Sequence, residues 1–404
     1  MKRPSRKFTL AGNGLLIIVI LAVYCLGALG RPLPALQPVT ANLQLKNPTA
    51  SAALKWPAVG QAAVGINPSG VLALHGEQTA IPIASTAKVL TALMVLKQRP
   101  LAAHQSGPKI TLTSADVKIY HQYVAGDGSV SAVTAGETLT EYQMLQAILL
   151  PSANNIADSL AIWAFGSLPA YANFANGYIR QLGLTHTHVG SDASGYDPTT
   201  VSTAHDLVLL GEAAMQEPAL AEIVGQTSAD LPVAGKIQNV NGLLGTDGII
   251  GVKTGNTEQA GGVFLAAKQA TIAGKKLILI AAVVGSNSLY DAMVGSLPLL
   301  ASAQENFSAA EILPAKTVVG SYKLPWGGTV TAVSDKPLAT LAWNGSMIPS
   351  EIKLKAINPS TKPGQIVGAV QLPQSPVSAA QTVSASLSEA ISQPSVTWRL
   401  RHPI

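Results

Sequence analysis

The chain contains 404 residues, of which 48% are apolar and only 12% carry a formal charge. This length suits two domains with an additional segment, and the composition excludes disorder over most of the chain. The net charge of +5 includes four basic residues among the first seven, and no basic stripe with interleaved aromatic residues follows, so nucleic acid is not an expected partner.

Residues 1–30 have the pattern of a membrane-targeting segment. Residues 10–30 are almost wholly apolar and follow a basic cluster made of Lys2, Arg3, Arg6 and Lys7. A helix of this length spans about 30 Å, enough for the hydrocarbon core of a bilayer, and the basic cluster favours a cytoplasmic N-terminus. The segment predicts a signal anchor in the cell membrane, with a cleaved signal peptide ending near Gly30 as the alternative.

The pattern changes at residue 56. Residues 31–55 are rich in Pro, Ala, Thr and Asn without periodicity, and they predict an extended stalk. Two apolar runs then flank Asn67-Pro68-Ser69 and predict a β-hairpin. The only cysteine, Cys25, precedes this region, so the folded part is expected to be held by its core without disulfides.

Helical and strand patterns continue to residue 307. Helices are predicted over 86–97, in two runs within 137–166, and over 169–182, 203–215 and 289–305. Strands are predicted over 249–254, 261–267 and 276–284. Helices between strands that flank them in sequence indicate an α+β domain over 56–307, with an antiparallel sheet and a helical cluster.

Residues 308–404 predict a small all-β domain. Short β-branched runs alternate there with Pro and Gly, and Val383, Ala385 and Leu387 alternate with serines at the period of a half-buried strand. The final residues, 397–402, predict a last edge strand with a basic tip.

Ser85 and Lys88 form the first candidate catalytic element. Residues three apart on a helix lie on one face, and a helix is predicted to begin here. A neutral lysine amine can take the proton of the serine hydroxyl, and burial or a second cation can lower the lysine pKa enough. Free N–H groups at a helix start also suit an oxyanion. Ser350 and Lys353 have the same spacing, but in a strand-like run that we interpret as a solvated strand face.

Ser152 and Asn154 form the second candidate element, at the break between two predicted helices. A hydroxyl group here can relay a proton. The Asn154 amide can donate to a substrate carbonyl and accept from a lysine. Either residue alone would also be explained as a helix N-cap after Pro151.

Lys253, Thr254 and Gly255 form the third element, in a predicted strand. In an ideal pleat Lys253 and Gly255 point to one face and Thr254 to the other. Gly255 lets a substrate backbone lie close, as in strand addition. Lys253 supplies a cation for a terminal carboxylate and lowers the pKa of a neighbouring lysine. An exposed lysine at a strand end is the alternative.

In this order, the three elements resemble the motifs of the penicillin-recognising serine enzymes. The closer resemblance is to the low-molecular-weight D-alanyl-D-alanine carboxypeptidases, in segments 82–88, 151–155, 194–197, 202–207, 252–257 and 260–262. It covers about 56–307, and the β-rich region is similar to the sandwich domain that follows in such enzymes. The resemblance implies removal of the terminal D-Ala from peptidoglycan stem peptides by an extracytoplasmic domain. It implies no metal or cofactor, and β-lactams as covalent inhibitors.

The resemblance also implies a role for each motif residue. Ser85 is the nucleophile and Lys88 its general base. Ser152 relays the proton to the leaving amine, and Asn154 belongs to the same wall of the site. The oxyanion hole comprises the N–H groups of Ser85 and Asn256.

The third motif is implied to bind substrate. Lys253 and Thr254 would bind the terminal carboxylate, with Gly255 beneath the substrate backbone. We expect this carboxylate role of Lys253 to outweigh its effect on the pKa of Lys88.

Some features depart from the family pattern. Many relatives hold the membrane through a C-terminal amphipathic helix, which is not evident here, and Asn155 stands where relatives often carry Asp. No Glu-x-x-Leu-Asn follows Asn154, so efficient β-lactam hydrolysis is not expected. His186 and His188 lack a matching ligand set and are interpreted as surface histidines. A D,D-endopeptidase or transpeptidase with the same site, and an inactive wall-binding scaffold, remain alternatives.

Overall fold

The computed structural model describes residues 6–402, with side chains from residue 14 onward. Residues 1–5 of the predicted targeting segment therefore lie outside the described residues. The chain divides into two compact units. The larger unit comprises Ser51–Ser308, and the smaller one combines residues up to Ala50 with those from Ala309 onward.

The helices are α1 (Arg6–Gly30), α2 (Ala87–Gln98), α3 (Ser114–Ala125), α4 (Glu141–Leu149), α5 (Asn154–Phe165), α6 (Leu168–Tyr178), α7 (Ala204–Gln216), α8 (Pro218–Val224), α9 (Leu289–Glu305) and α10 (Val396–Arg401), and short 3₁₀ turns lie at Ala84–Thr86 and Thr246–Gly248. The strands are β1 (Pro38–Thr40), β2 (Gln61–Asn67), β3 (Gly70–His75), β4 (Ile81–Pro82), β5 (Lys109–Thr111), β6 (Thr138–Thr140), β7 (Val201–Ser202), β8 (Ser228–Leu231), β9 (Gly235–Gln238), β10 (Ile249–Thr257), β11 (Gly261–Ile272), β12 (Lys275–Ser286), β13 (Phe307–Leu313), β14 (Val318–Lys323), β15 (Thr329–Ser334), β16 (Leu338–Trp343), β17 (Glu351–Leu354), β18 (Ile366–Leu372) and β19 (Gln381–Leu387).

The larger unit is built on a five-stranded antiparallel sheet in the order β10-β11-β12-β2-β3. Helix α7 packs against β2 and β12, and α9 packs against β11 and β12. Helix α2 is buried along most of its length and contacts α5, α4 and α7, so it forms the centre of the helical cluster. This architecture confirms the predicted α+β fold and the hairpin formed by β2 and β3.

Several helices of this unit begin at side-chain caps. Thr140 and Gln143 form a reciprocal capping box at the start of α4, and Thr113 and Asp116 form another at α3. Such boxes satisfy N–H groups that have no partner within the helix. Helix α3 was not predicted from the sequence, and none of its residues is buried.

The smaller unit contains a six-stranded sheet in the order β1-β14-β15-β19-β18-β17. Strand β1 pairs with β14, and Leu36 and Leu45 are buried in the core of this unit. The prediction of an extended stalk over 31–55 therefore differs from the structure. Isolated apolar residues among prolines gave no periodic signal, although they complete a core formed by strands distant in sequence.

The predicted edge strand over 397–402 is wrong, because Val396–Arg401 forms helix α10. The Ser395 hydroxyl accepts a hydrogen bond from the Trp398 N–H and caps the helix start. Helix α1 contacts α10, and the Tyr24 hydroxyl donates to the Leu400 carbonyl. Apolar side chains of α1 from Leu15 to Leu26 are largely exposed. Among the described residues, no helix combines the length and apolar character needed to cross a membrane.

Candidate active site

Ser85 lies in the 3₁₀ turn Ala84–Thr86, directly before α2. The turn is held by the Thr86 hydroxyl, which donates to the Ile83 carbonyl at 2.6 Å. Thr86 is the N-cap residue of α2, and it makes no side-chain cap bond. Ser85 is partly exposed among buried neighbours, so its hydroxyl group is accessible and is not used as a helix cap.

Lys88, the second residue of α2, is fully buried and donates three hydrogen bonds from Nζ. The acceptors are Ser85 Oγ at 2.8 Å, Asn154 Oδ1 at 2.7 Å and the Ser194 carbonyl oxygen at 2.9 Å. Burial, and then the nearby Lys253, hold the pKa of Lys88 well below its usual value. The structure therefore places an amine that can be neutral within hydrogen-bond distance of the candidate nucleophile.

The second element borders the same site. Asn154 is the first residue of α5, and its side-chain oxygen accepts the bond from Lys88. The N-cap of α5 is Ala153, without a side-chain cap bond, so the capping interpretation of Ser152 and Asn154 is wrong. Ser152 has a φ of +68°, and its buried Oγ has no hydrogen-bond partner among the residues that the structure describes. A buried hydroxyl without a partner, at a strained backbone position, is typical of a functional residue.

The third element lies on β10, the edge strand of the five-stranded sheet. Its outer edge approaches the turn that carries Ser85. A Cβ atom at Gly255 would lie 3.0 Å from the Ile83 oxygen and 3.2 Å from Thr86 N, so a larger residue would push the two apart. On its other side Asn256 pairs with Gly262 of β11. The free edge of β10 can thus receive an extended peptide next to Ser85.

Lys253 is buried, with only 1% of its surface exposed, so the alternative of an exposed lysine at a strand end is wrong. Its Nζ donates to the Thr254 carbonyl oxygen at 3.0 Å, and burial lowers its pKa to about 7. A buried cation near Lys88 favours the electrostatic role of Lys253 over direct contact with a substrate carboxylate. The carboxylate role stays a prediction.

A cavity of about 620 Å³ opens beside these residues. It is lined by Ser85, Gly126, Asp127, Gly128, Ser129, Asn154, Tyr196, Asp197, Pro198, Asn256, Thr257, Glu258 and Gln259. Ser85 of the first element and Asn154 of the second therefore border one cleft, together with Asn256, which directly follows the third element. Within the described part of the chain, no group of three or more His, Cys, Asp or Glu residues could hold a metal ion.

Sequence reasoning missed the loop that completes the site. Ser194 contributes a main-chain carbonyl oxygen to Lys88, which no side-chain motif can reveal. Asp158 was also missed. It lies one helical turn after Asn154, and this spacing could have indicated that both side chains lie on the same face of α5. His186 and His188 lie outside the cleft; the Asp206 carboxylate accepts from the His186 main-chain N–H.

An accessible serine hydrogen-bonded to a buried lysine, a second serine beside Asn154, and an edge strand next to the cleft define a penicillin-recognising serine enzyme. The D-alanyl-D-alanine carboxypeptidase family matches residues 49–288, and the chain belongs to this family of serine peptidases. The predicted family, enzyme class and fold are confirmed.

Individual relatives agree with this assignment. The D-alanyl-D-alanine carboxypeptidase DacB2 of Mycobacterium tuberculosis is 34% identical over 215 residues, which cover 52% of this chain and 69% of DacB2. DacD of Salmonella typhimurium, also a D-alanyl-D-alanine carboxypeptidase, is 29% identical over 60% of this chain and 62% of its own length. The crystal structure of penicillin-binding protein 5 from Haemophilus influenzae matches with a TM-score of 0.58 and 19% identity. It covers 85% of this chain and 99% of its own, and supports the fold alone.

Proposed function

We propose that this protein removes the terminal D-Ala from peptidoglycan stem peptides that end in D-Ala-D-Ala, through an acyl-enzyme on Ser85. The observation that carries the proposal is the 2.8 Å hydrogen bond between Ser85 Oγ and a buried Lys88. Burial and the neighbouring Lys253 both disfavour the charged form of Lys88, so it can act as a base.

In the acylation step, Lys88 takes the hydroxyl proton while Ser85 Oγ attacks the carbonyl carbon of the penultimate D-Ala. The N–H groups of Ser85 and Asn256 stabilise the oxyanion. Ser152 relays a proton to the departing D-Ala amine, which leaves as the C–N bond breaks. Water then hydrolyses the ester. A β-lactam follows the same acylation path and remains attached to Ser85.

The substrate peptide adds to the free edge of β10. Gly255 lets β10 lie close to the Ser85 turn, because a Cβ atom there would meet Ile83 O and Thr86 N, and so brings the receiving strand next to the nucleophile. Thr254 would receive the terminal carboxylate at this end of the cleft, Lys253 would act on Lys88 through its charge, and Asn154 would orient the peptide from the opposite wall.

Release of free D-Ala tests the function. The full chain should release D-Ala from a stem pentapeptide that ends in D-Ala-D-Ala, and not from a matched peptide that ends in L-Ala. Purified cross-linked muropeptides separate the alternatives. Their cleavage without D-Ala release from the pentapeptide would indicate an endopeptidase, and no penicillin labelling at all would indicate an inactive scaffold.

We also propose that the N-terminal segment attaches the protein to the cell membrane, with the catalytic unit outside the cytoplasm. The exposed apolar side chains between Leu15 and Leu26 support this location. A chain that begins at Arg31 removes them and keeps Leu36 and β1. We expect the full chain in the membrane fraction of cells and the shortened chain in the soluble fraction, both labelled by penicillin.

A shortened chain that remains in the membrane pellet would contradict this role of the N-terminal segment. A chain that begins at Leu45 serves as a comparison. It lacks β1 and Leu36, so we expect it to melt at a lower temperature than the chain that begins at Arg31.

A further inference from the structure

Two buried carboxylates lie close to Lys88 and have no part in the reaction described above. Asp158 follows Asn154 by four residues on α5, so both side chains lie on one face of the helix. Asp192 lies two residues before Ser194, whose carbonyl oxygen accepts from Lys88. Both carboxylates are more than nine-tenths buried. Buried charges need partners, and their partners indicate what they hold in place.

Asp158 connects three segments of the larger unit. Its Oδ1 accepts a hydrogen bond from the Ala193 N–H at 2.9 Å, and its Oδ2 accepts from the Tyr123 hydroxyl of α3 at 2.8 Å. The carbonyl of Ala193 in turn accepts from the Thr91 hydroxyl of α2 at 2.6 Å. The peptide groups on both sides of Ala193 are thus fixed directly before Ser194.

Asp192 closes the loop that carries Ser194. Its oxygens accept hydrogen bonds at 2.8 Å from the Gly195 N–H, and at 3.0 Å from the Tyr196 N–H, the Asp197 N–H and the Ser194 hydroxyl. Gly195 has a φ of +71°, and a Cβ atom there would collide with the Ala84 carbonyl oxygen. The closed loop therefore packs against the turn that carries the nucleophile.

The charges around Lys88 give the two carboxylates a second effect. Lys253 is the cation that acts on Lys88, and Asp158 and Asp192 are the anions. Tyr123 is the titratable group that contacts both anions, and burial raises its pKa, so its hydroxyl keeps its proton. When Lys88 accepts a proton, a positive charge forms in a buried site. The two anions stabilise this charge, and so offset the destabilising effects of burial and of the charge on Lys253.

We propose that Asp158 and Asp192 are positioning residues for acylation. They keep the Ser194 carbonyl oxygen within hydrogen-bond distance of Lys88, and they stabilise the ammonium form of Lys88. In that step the O–H bond of Ser85 breaks and an N–H bond forms on Lys88. The freed electron pair on oxygen forms the bond to the acyl carbon. The inference rests on the proposed function, because it requires Lys88 to act as the base for Ser85.

Asp158→Asn tests the inference, since it keeps the side-chain size and an oxygen for the Ala193 N–H but removes the charge. The measurement is the rate of acylation by a fluorescent penicillin between about pH 5 and about pH 9. We expect a roughly ten-fold lower plateau, and an acid limb moved to lower pH by on the order of one unit, because loss of an anion lowers the pKa of Lys88. The shift of the acid limb should be measured above about pH 6. Burial raises the pKa of Asp158 to about 6, so the wild-type side chain is charged only above this pH.

Tyr123→Phe provides a second variant with a milder change. It removes the hydroxyl that donates to Asp158, so the pKa of Asp158 rises further and less of its charge remains near pH 7. We expect a smaller shift in the same direction. Asp192→Asn should shift the limb as Asp158→Asn does.

Glu212→Gln is the matched control. Glu212 is a buried carboxylate of α7 that accepts from the Gly70 N–H at 2.8 Å, away from the cleft. Its neutralisation should leave the acid limb in place. An acid limb that is unchanged, or moved to higher pH, in folded Asp158→Asn and Tyr123→Phe would overturn the inference. A wild-type chain that penicillin does not acylate would contradict the proposed function instead.

Discussion

We expect Ser85→Ala to abolish covalent labelling by a fluorescent penicillin and to leave the fold intact. The substitution removes the hydroxyl group that accepts from Lys88 at 2.8 Å, whereas Lys88 keeps its bonds to Asn154 and to the Ser194 carbonyl. Loss of a catalytic serine lowers turnover by more than about 10⁴-fold in other serine hydrolases. Labelling on a gel and the rate of D-Ala release measure the loss, and circular dichroism checks the fold.

The chain supplies a matched control for this variant. Ser350 and Lys353 repeat the spacing of Ser85 and Lys88, but Lys353 lies on the exposed strand β17 and forms an ion pair with Glu351 at 3.0 Å. Ser350→Ala should therefore leave labelling and D-Ala release unchanged. A covalent penicillin adduct on another serine of Ser85→Ala, located by peptide mass mapping, would refute the assignment of the nucleophile.

The second large effect is expected for Lys253→Gln. Because Lys253 is buried near Lys88, removing its charge should raise the pKa of Lys88. The base is then protonated up to a higher pH, so the acid limb of the pH–rate profile should move upward by about one unit or more. We expect at least a roughly ten-fold slower rate near neutral pH, and equal losses for a peptide with a free terminal carboxylate and for its amide.

These two substrates separate the roles of Lys253. A much larger loss for the free carboxylate than for the amide would show that Lys253 binds the substrate end, as the sequence first suggested. The exposed Lys276 at the start of β12 gives a control of equal charge. Lys276→Gln should change neither the acid limb of the pH–rate profile nor the ratio of the rates for the two substrates. Lys253→Gln and Asp158→Asn are expected to move the limb in opposite directions.

Much of the site could be predicted because its parts are local in sequence. Ser85 and Lys88 are one helical turn apart, and Gly255 follows Lys253 on one strand, so spacing alone indicates which side chains share a face. The order of the motifs then indicated one site, and the cleft at Ser85, Asn154 and Asn256 agrees with it.

The parts that escaped prediction depend on contacts between distant segments. The Ser194 carbonyl reaches Lys88 only because Asp158 and Asp192 fold its loop, and no local pattern encodes that arrangement. Burial of Lys253 likewise results from packing around β10. Strand β1 was missed for the same reason, since its partner β14 lies far along the chain.

The pairing of β1 with β14 has a consequence for the order in which the protein folds. The smaller unit is discontinuous in sequence, and the whole larger unit is inserted between its two parts. During synthesis the larger unit is complete before β14 emerges from the ribosome, so it can fold first. Strand β1 has no strand to pair with until β14 has been synthesised. A chain that stops after Ser308 would therefore leave Leu36 and Leu45 without their core, as an unpaired apolar segment open to aggregation or proteolysis.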